Sequence, residues 1–156
     1  MTGWRLAKSR YADPPRAAFD GEGSRRRGGR LSPPGTRVAY APSSLALAAL
    51  EYFVNLDPSQ APDGPVSIEV GIPDSTKIER VDTPDLPANW REYPHPAELP
   101  LIGETWLRAG SSVCLIVPPA VIAEENNLLI NLSHPDFRTL LFSQPQPFQY
   151  DARMWK

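Results

Sequence analysis

Residues 28–51 read GGRLSPPGTRVAYAPSSLALAALE. The Arg-Val-Ala-Tyr run at residues 37–40 is typical of a brief β-strand. Ser43 or Ser44 is a suitable N-cap for the Ala- and Leu-rich helix that follows, and we expect this helix to run to about Leu56. Tyr40 is therefore expected at the end of a strand, and Glu51 on the helix behind it.

Length and composition set the fold class. The chain has 156 residues, 41% of them hydrophobic, which predicts one domain over residues 1–156. Its 19 prolines are over twice the usual share of about 5% and divide the chain into short segments, which argues against a helical bundle. Strands that regular helices do not separate favour an α+β domain over a doubly wound one.

The rest of the chain reads as short elements and long loops. Strands are expected at residues 4–8, 66–70, 76–81, 112–117, 128–130 and 139–142, and a short helix at residues 103–109. The loops are expected at residues 20–30, 57–64 and 84–100, the last covering the core with Trp90 and Tyr93 packed inward. The 112–117 strand, the most apolar, is expected at the centre of a sheet and to end at Pro118.

Charge and cysteine content limit the partners and the compartment. The net charge of −2 gives no broad basic field to attract nucleic acid or anionic lipid. Cys114 is the only cysteine, which excludes an internal disulfide and fits a reducing, cytoplasmic compartment. No apolar stretch approaches the roughly 20 residues that span a bilayer, and the N-terminus lacks the order of a signal peptide. We therefore expect no membrane partner.

Three residues of the 28–51 stretch carry groups suited to nucleotide chemistry. Glu51 supplies a carboxylate that can stabilise a cationic ribose, Arg30 a planar guanidinium that suits phosphate oxygens, and Tyr40 an aromatic face. Each residue type is also common on ordinary surfaces or in cores, so spacing alone leaves those roles open. His95, His134 and the single cysteine give no recognised zinc spacing, and we predict no metal site.

The chain resembles the RES-domain toxin family. Residues 28–51 are similar to its signature, in which Gly-Gly-Arg precedes a Gly-containing turn, a strand ending in Tyr, and a Ser/Ala-rich helix bearing Glu. Blocks on both sides also resemble the family, so that the likeness covers nearly the whole chain: residues 8–11, 20–23, 102–106, 115–118, 127–131, 134–137, 148 and 151–153.

This resemblance implies both a fold and an activity. The fold is expected to be ADP-ribosyltransferase-like, with small packed β-sheets and few short helices around an NAD cleft. The protein is expected to be a toxin that breaks the nicotinamide–ribose bond of NAD and transfers ADP-ribose to a protein target, phosphate or water. Its expected partner is a helix-turn-helix, Xre-like antitoxin.

The resemblance also assigns residues by position. Glu51 would be the catalytic carboxylate, Arg30 a cation that grips the nucleotide, and Tyr40 the residue that lines the nicotinamide–ribose pocket. Further binding contacts are expected, in addition to Arg30 and Tyr40, from Lys8, Arg10 and Tyr11.

The chain departs from the family pattern at two places. Leu31-Ser32 stand where the family has Trp-Asn, and Pro119 stands where it has a serine. Proline supplies neither the hydroxyl nor a backbone N–H, so we expect acceptor choice or rate to change. Candidates to compensate are Ser111, Ser112 and Asn127.

Two alternatives remain open at this stage. A degenerate relative that binds NAD without turnover is favoured by Pro119. An RNA-binding or RNA-cleaving toxin is suggested by the SRRRGGR run at residues 24–30. No aromatic residue interleaves that run and the remainder of the chain is acidic, so we expect no direct contact with nucleic acid.

Overall fold

The fold contains two small sheets and three short α-helices, as seen in a computed structural model that describes residues 1–57, 59, 62 and 64–155. The strands are β1 (Thr2–Lys8), β2 (Val38–Pro42), β3 (Pro65–Gly71), β4 (Ile78–Arg80), β5 (Cys114–Val117), β6 (Asn127–Asn131), β7 (Leu141–Phe142) and β8 (Gln146–Pro147). The α-helices are α1 (Glu22–Arg27), α2 (Leu45–Phe53) and α3 (Leu99–Ala109). These elements confirm the expected α+β class.

The first sheet is built on β3. Strands β1, β7 and β8 all pair with β3 in antiparallel fashion, with Arg5 of β1 opposite Ile68 of β3. The second sheet has the order β2-β6-β5-β4, in which only the β4–β5 pair is parallel. In this sheet Tyr40 lies opposite Leu129, and Val117 opposite Asn127.

The second sheet is buried on both faces. One face contributes Ile116 and Ile130 to a core cluster shared with the first sheet. The other contributes Leu115 and Leu129 to a cluster that includes Trp106 of α3. Burial on both faces explains why β5 and β6 read as continuous apolar runs without alternation. The prediction of a central strand that ends at Pro118 is confirmed.

The two sheets meet where β1 crosses β2. A Cβ on Gly3 would lie 2.8 Å from the Cβ of Ala41, so only glycine permits this approach. Two residues further along β1, the Nη1 group of Arg5 donates a hydrogen bond to the carbonyl oxygen of Tyr40 over 3.1 Å. This bond fixes Tyr40 against the first sheet. Tyr40 lies in the middle of β2 and not at the strand end that the sequence predicted, because pairing with β6 continues to Pro42.

Helix α2 carries Glu51, and both of its ends have identifiable determinants. Ser44 is its N-cap, since its hydroxyl accepts from the Leu47 N–H over 3.1 Å. The helix ends at Phe53 and not near Leu56 as expected. The Asn55 side chain donates to the Glu51 carbonyl over 2.8 Å, and this bond competes with continuation of the helix.

Aromatic packing near the C-terminus holds α2 in place. The Phe53 ring centroid lies 6.1 Å from that of Tyr150 and 5.6 Å from that of Trp155. The Tyr150 hydroxyl also donates a hydrogen bond to the Ala49 carbonyl oxygen. Glu51 therefore lies on a helix fixed at both ends.

The loop expected at residues 20–30 instead contains α1. Its formation has a local cause: the Asp20 carboxylate accepts from the Glu22 N–H over 2.9 Å, and Gly21 takes a positive φ of 65°. Glu22 then forms ion pairs with Arg25 and Arg26, three and four residues later. Such pairs stabilise a short helix that glycine content alone argues against.

Other sequence predictions need correction. The strand expected at residues 76–81 is shorter, Ile78–Arg80, and this β4 does not extend the sheet of β3 but joins the second sheet parallel to β5. Helix α3 begins at Leu99, four residues before residue 103, because Pro100 is tolerated in a first helical turn. Residues Pro135–Thr139 form a 3-10 helix, which leaves only Leu141–Phe142 as strand.

The 84–100 segment was predicted with two inward-packed aromatics, and one of the two is wrong. Trp90 is buried in the cluster with Trp106, as expected. Tyr93 is 92% exposed, because the chain turns at residues 89–92 and leaves the core before it. The loop expected at residues 57–64 lies partly outside the described residues.

Candidate active site

A cavity of about 1240 Å³ lies where the two sheets meet. Strands β1 and β2, helices α1 and α2, and the ends of β5 and β6 contribute to its walls. Five of the six residues assigned by position line it, namely Lys8, Tyr11, Arg30, Tyr40 and Glu51. The fold thus gathers residues up to 43 positions apart in sequence, counted from Lys8 to Glu51, around one cavity.

The Glu51 carboxyl group is partly buried. Burial raises its pKa, and the guanidinium of Arg30 opposes the rise. Within the described residues, no hydrogen bond or salt bridge uses this carboxylate. An ionised carboxylate in such surroundings interacts strongly with a positive charge placed beside it.

Arg30 fixes a loop as well as facing the cavity. Its Nη1 donates to the Trp90 carbonyl over 2.7 Å and to the Glu92 carbonyl over 2.9 Å. Burial lowers its pKa, while Glu51 and Tyr40 act in the opposite direction. The guanidinium therefore links the loop before Tyr93 to the cavity wall.

The Tyr40 hydroxyl belongs to a chain of hydrogen bonds with a defined direction. The Ser24 hydroxyl donates to the Thr36 carbonyl over 3.1 Å, so its oxygen must accept from Ser32, 2.9 Å away. Ser32 in turn accepts from Tyr40 over 2.9 Å, and the Tyr40 oxygen accepts from the Leu31 N–H over 3.2 Å. Each hydroxyl has one proton, which fixes the order of donors.

Burial also raises the pKa of Tyr40, with the hydrogen bonds from Ser32 and Leu31 acting against the rise. The phenol is therefore neutral at physiological pH. A Cβ on Gly29 would lie 2.5 Å from the Tyr40 hydroxyl oxygen, so glycine is needed at that position for the ring to keep its place. This contact gives the second Gly of the Gly-Gly-Arg motif a steric role.

The other assigned binding residues lie at the edge of the cavity. Lys8 ends β1, and Tyr11, which is 55% exposed, follows in a 3-10 helix. The Arg10 guanidinium lies 4.8 Å from the centroid of the Tyr11 ring. Arg10 is not among the residues that line the cavity, so it contacts the site through Tyr11.

Arg5 of β1 also lines the cavity. Beyond its bond to Tyr40, its Nε is buried and has no hydrogen-bond partner among the described residues. Burial lowers its pKa, and the nearby Asp20 opposes this. A charged residue inside the apolar start of a strand is the sequence signal that could have identified it.

The three candidates to compensate for the missing serine differ in position. The Ser111 hydroxyl donates to the Glu79 carboxylate on the surface. Ser112 accepts from the Trp106 indole N–H over 2.9 Å and is buried beneath α3. Only Asn127 of the three lines the cavity, together with Pro119.

His95 is among the residues that line the cavity, whereas His134 and Cys114 are not. The Nδ1 atom of His134 accepts from the Asp136 N–H over 3.1 Å and caps a 3-10 helix. Burial raises the pKa of the Cys114 thiol to about 12. In the part of the chain that the structure describes, no three His, Cys, Asp or Glu side chains are grouped so as to hold a metal ion.

The helices were also compared with what is needed to span a membrane. None of the helices formed by the described residues combines the length and the apolar character that a bilayer span requires.

Known proteins resemble this chain in both structure and sequence. A chain of the crystal structure of the M. tuberculosis MbcT-MbcA toxin-antitoxin complex superposes with a TM-score of 0.75 at 17% identity. The superposition covers 95% of this chain and 84% of that chain. This likeness in structure confirms the expected α+β fold.

Other known proteins have a higher sequence identity to this chain. A toxin Res of Yersinia enterocolitica (serotype O:8 / biotype 1B) is 36% identical over 152 residues, covering 97% of each chain. A Prs ADP-ribosylating toxin of Sphingobium sp. (strain YBL2) is 33% identical over 156 residues, covering 97% of this chain and 94% of the relative. The RES domain family matches residues 2–151. Because this match spans almost the whole chain, the protein belongs to the RES-domain family.

Proposed function

We propose that the protein is the toxin of a toxin–antitoxin pair and that it breaks the nicotinamide–ribose bond of NAD. The observation that carries the proposal is the placement of Glu51, Arg30 and Tyr40 around one cavity. The names of the Yersinia and Sphingobium relatives support the toxin role, and the Sphingobium name supports ADP-ribose chemistry.

In the proposed reaction the bond between ribose C1′ and the pyridinium nitrogen breaks. Its electron pair passes to the ring, so that nicotinamide leaves as a neutral molecule and positive charge develops on the ribose. The ionised Glu51 carboxylate stabilises this charge, an effect that its partly buried position strengthens. The acceptor oxygen or nitrogen then bonds to C1′ and loses its proton.

Binding contacts follow from the other side chains. The Arg30 Nε and Nη2 groups can bind the diphosphate, since only Nη1 is used by the loop carbonyls in the described structure. The neutral Tyr40 ring offers a face to the nicotinamide ribose. Lys8, Arg10 and Tyr11 complete the binding wall at the edge of the cavity, with Arg10 acting through the Tyr11 ring.

The acceptor and the partner are part of the proposal. ADP-ribose passes to a protein side chain, phosphate or water. In this proposal a helix-turn-helix antitoxin of the Xre type neutralises the toxin in the cytoplasm. The mycobacterial toxin–antitoxin complex supports an antitoxin partner.

The test is nicotinamide release by the purified protein, measured chromatographically. Glu51→Gln keeps the side-chain size and removes the charge, and it should lower release at least about 100-fold and abolish growth arrest on expression. Glu104→Gln is the matched control, because Glu104 lies on α3 and pairs with Arg108 on the surface. Equal release by parent and Glu51→Gln would refute the assignment.

A binding module without turnover is the second candidate, favoured by Pro119 in the cavity wall. It predicts saturable NAD binding with no nicotinamide release by the parent protein. Transfer of labelled ADP-ribose to cell extract separates protein modification from free NAD breakdown.

An RNA-directed toxin receives less support from the geometry. Arg25 and Arg26 of the arginine-rich run are both paired with Glu22, whose pKa these bonds lower to about 2. Such a toxin would leave NAD pools unchanged and bind RNA with a strong dependence on salt.

A further inference from the structure

The cavity contains a buried polar group that the proposed mechanism does not use. Asn127 begins β6, is only 6% exposed and lines the cavity. Its side-chain Oδ1 is buried and accepts no hydrogen bond from any described residue. An unsatisfied buried acceptor destabilises a protein, and such groups commonly have a ligand or water as partner.

The register of the second sheet places this amide beside the proposed nicotinamide–ribose pocket. Asn127 lies opposite Pro42 of β2, and Tyr40 lies opposite Leu129 of β6. Positions two residues apart on paired strands share a face, so Asn127 and Tyr40 are diagonal neighbours, roughly 7–8 Å apart between their Cα atoms. Asn127 also pairs with Val117, directly before Pro118 and Pro119.

The free atom is an acceptor, so its partner must be a donor. Near the bond that breaks, NAD offers the ribose hydroxyls and the N–H₂ of the nicotinamide carboxamide. The hydroxyls have the stronger, ionised acceptor Glu51 in the same cavity. The neutral carboxamide is left as the donor that matches a neutral, buried amide oxygen.

We propose that Asn127 binds the carboxamide of the nicotinamide ring through Oδ1 and so selects the leaving group of the substrate. This assignment rests on the proposed NAD chemistry and adds to it the residue that recognises the ring. It also explains how polar contact is kept in the wall where Pro119 supplies no hydroxyl.

The test compares NAD with 3-acetylpyridine adenine dinucleotide, in which a methyl ketone replaces the carboxamide and no N–H remains. Dissociation constants are measured by calorimetry on Glu51→Gln protein, so that neither dinucleotide is consumed. With Asn127 present, NAD should bind roughly tenfold more tightly than the analogue, the effect of one hydrogen bond to a buried group. With Asn127→Ala added, the two constants should agree within about twofold.

Asn131 provides the matched control. It lies on the same strand and is equally buried, but its Oδ1 accepts from the Ser133 N–H over 3.0 Å and it is not among the residues that line the cavity. Asn131→Ala should lower the melting temperature and keep the tenfold preference for NAD.

Asn127→Ala removes no hydrogen bond seen among the described residues, so its melting temperature should be close to that of the parent. Asn127→Leu, of similar volume, serves as a second variant if the alanine protein does not fold.

The outcomes separate the two proposals. A preference that persists in both Asn127 variants would overturn the Asn127 assignment while leaving the NAD activity intact. Equal weakening of both dinucleotides by Asn127→Ala would also overturn it, because the contact would then be to the ribose. If the Glu51→Gln protein binds neither dinucleotide and the parent releases no nicotinamide, the proposed function itself fails.

Discussion

Glu51 combines burial with a nearby guanidinium, and this combination predicts a shifted pH profile. Burial raises its pKa above the ordinary value of 4.5, and only the ionised form stabilises a cationic ribose. As the pH falls through the raised pKa, kcat/KM for nicotinamide release should fall with it, at a pH above 4.5. Because Arg30 opposes the rise, Arg30→Gln should move this acid limb to still higher pH.

The measurement is kcat/KM across a series of buffers from about pH 4 to about pH 9 at constant ionic strength. Glu104→Gln should show the parent profile. An acid limb at or below 4.5, or one that Arg30→Gln moves downward, would contradict the proposed role of Glu51.

Gly29 predicts a loss of activity by displacement of the Tyr40 ring. In Gly29→Ala the new Cβ would lie 2.5 Å from the Tyr40 hydroxyl oxygen, so the ring and its bond to Ser32 must move. We expect kcat to fall roughly 10–100-fold with a stability loss of only about 1 kcal/mol, since the displaced atom is the end of a side chain.

Steady-state kinetics and thermal unfolding on the same preparation check this prediction. Gly71→Ala is the control, because a Cβ there would be 3.6 Å from the nearest atom, an ordinary contact. Full activity in Gly29→Ala would show that the position of the Tyr40 hydroxyl does not matter.

At the scale of single residues, the sequence identified groups whose position is tied to a local motif. The strand that carries Tyr40 and the helix that carries Glu51 were predicted because both can be read from neighbouring residues, although the strand continues past Tyr40 to Pro42. The position of Arg5 could not be predicted, because its burial depends on strand β3 and on the Tyr40 carbonyl, both distant in sequence. The sequence likewise could not show that Asn127 Oδ1 lacks a hydrogen-bond partner, because this depends on the positions of all the surrounding residues.

At the scale of elements, helix α3 lies so close to the Gly-Gly-Arg-Leu turn that one residue controls the contact. A Cβ on Gly103 would overlap the carbonyl oxygen of Leu31, whose own N–H donates to the Tyr40 hydroxyl. Gly103→Ala should therefore destabilise the protein by about 3 kcal/mol, since backbone and not a flexible side chain must yield.

Urea denaturation followed by circular dichroism measures this loss. Gly23→Ala is the matched helical control, because nothing lies within 4 Å of a Cβ at that position, and alanine there should be neutral or stabilising by about 0.5–1 kcal/mol. A Gly103→Ala protein as stable as the parent would mean that α3 does not hold the turn.

Helices and strands with strong local signals were predicted well, and those that depend on specific side-chain pairs were not. Ser44 capping fixes the start of α2, which the sequence placed within one residue. Helix α1 was missed because it depends on Glu22 pairing with Arg25 and Arg26, whereas glycine content dominated the sequence argument. The exposure of Tyr93 was missed because hydrophobicity does not reveal where a loop leaves the core.

For the whole molecule, the α+β class followed from proline content and short apolar runs, but the division into two sheets did not. Strand β4 follows β3 in sequence and yet pairs with β5 across more than thirty residues of chain, a non-local choice without a local signature. The cavity between the sheets could therefore be inferred only from family resemblance.

A cavity lined by both sheets predicts that ligand binding stabilises the entire fold. On Glu51→Gln protein, NAD at about 100 times its dissociation constant should add about 2.7 kcal/mol to the free energy of unfolding. For a chain of this length, that corresponds to a rise of roughly 5–11 °C in melting temperature. Thermal unfolding with and without NAD measures the rise, and adenine alone serves as the control. No shift at saturating NAD would argue against a dinucleotide site between the sheets.

The contacts of Gly3 and Arg5 where β1 crosses β2 affect how ligands enter the cavity. Backbones in direct contact, joined by a guanidinium–carbonyl bond, leave the two walls little freedom to separate. A preorganised receptor loses little conformational entropy on association, and its rate constant for capture is not limited by rearrangement. Widening this crossing with a larger residue at position 3 would make the protein slower to engage its substrate even though every group that touches the dinucleotide remained.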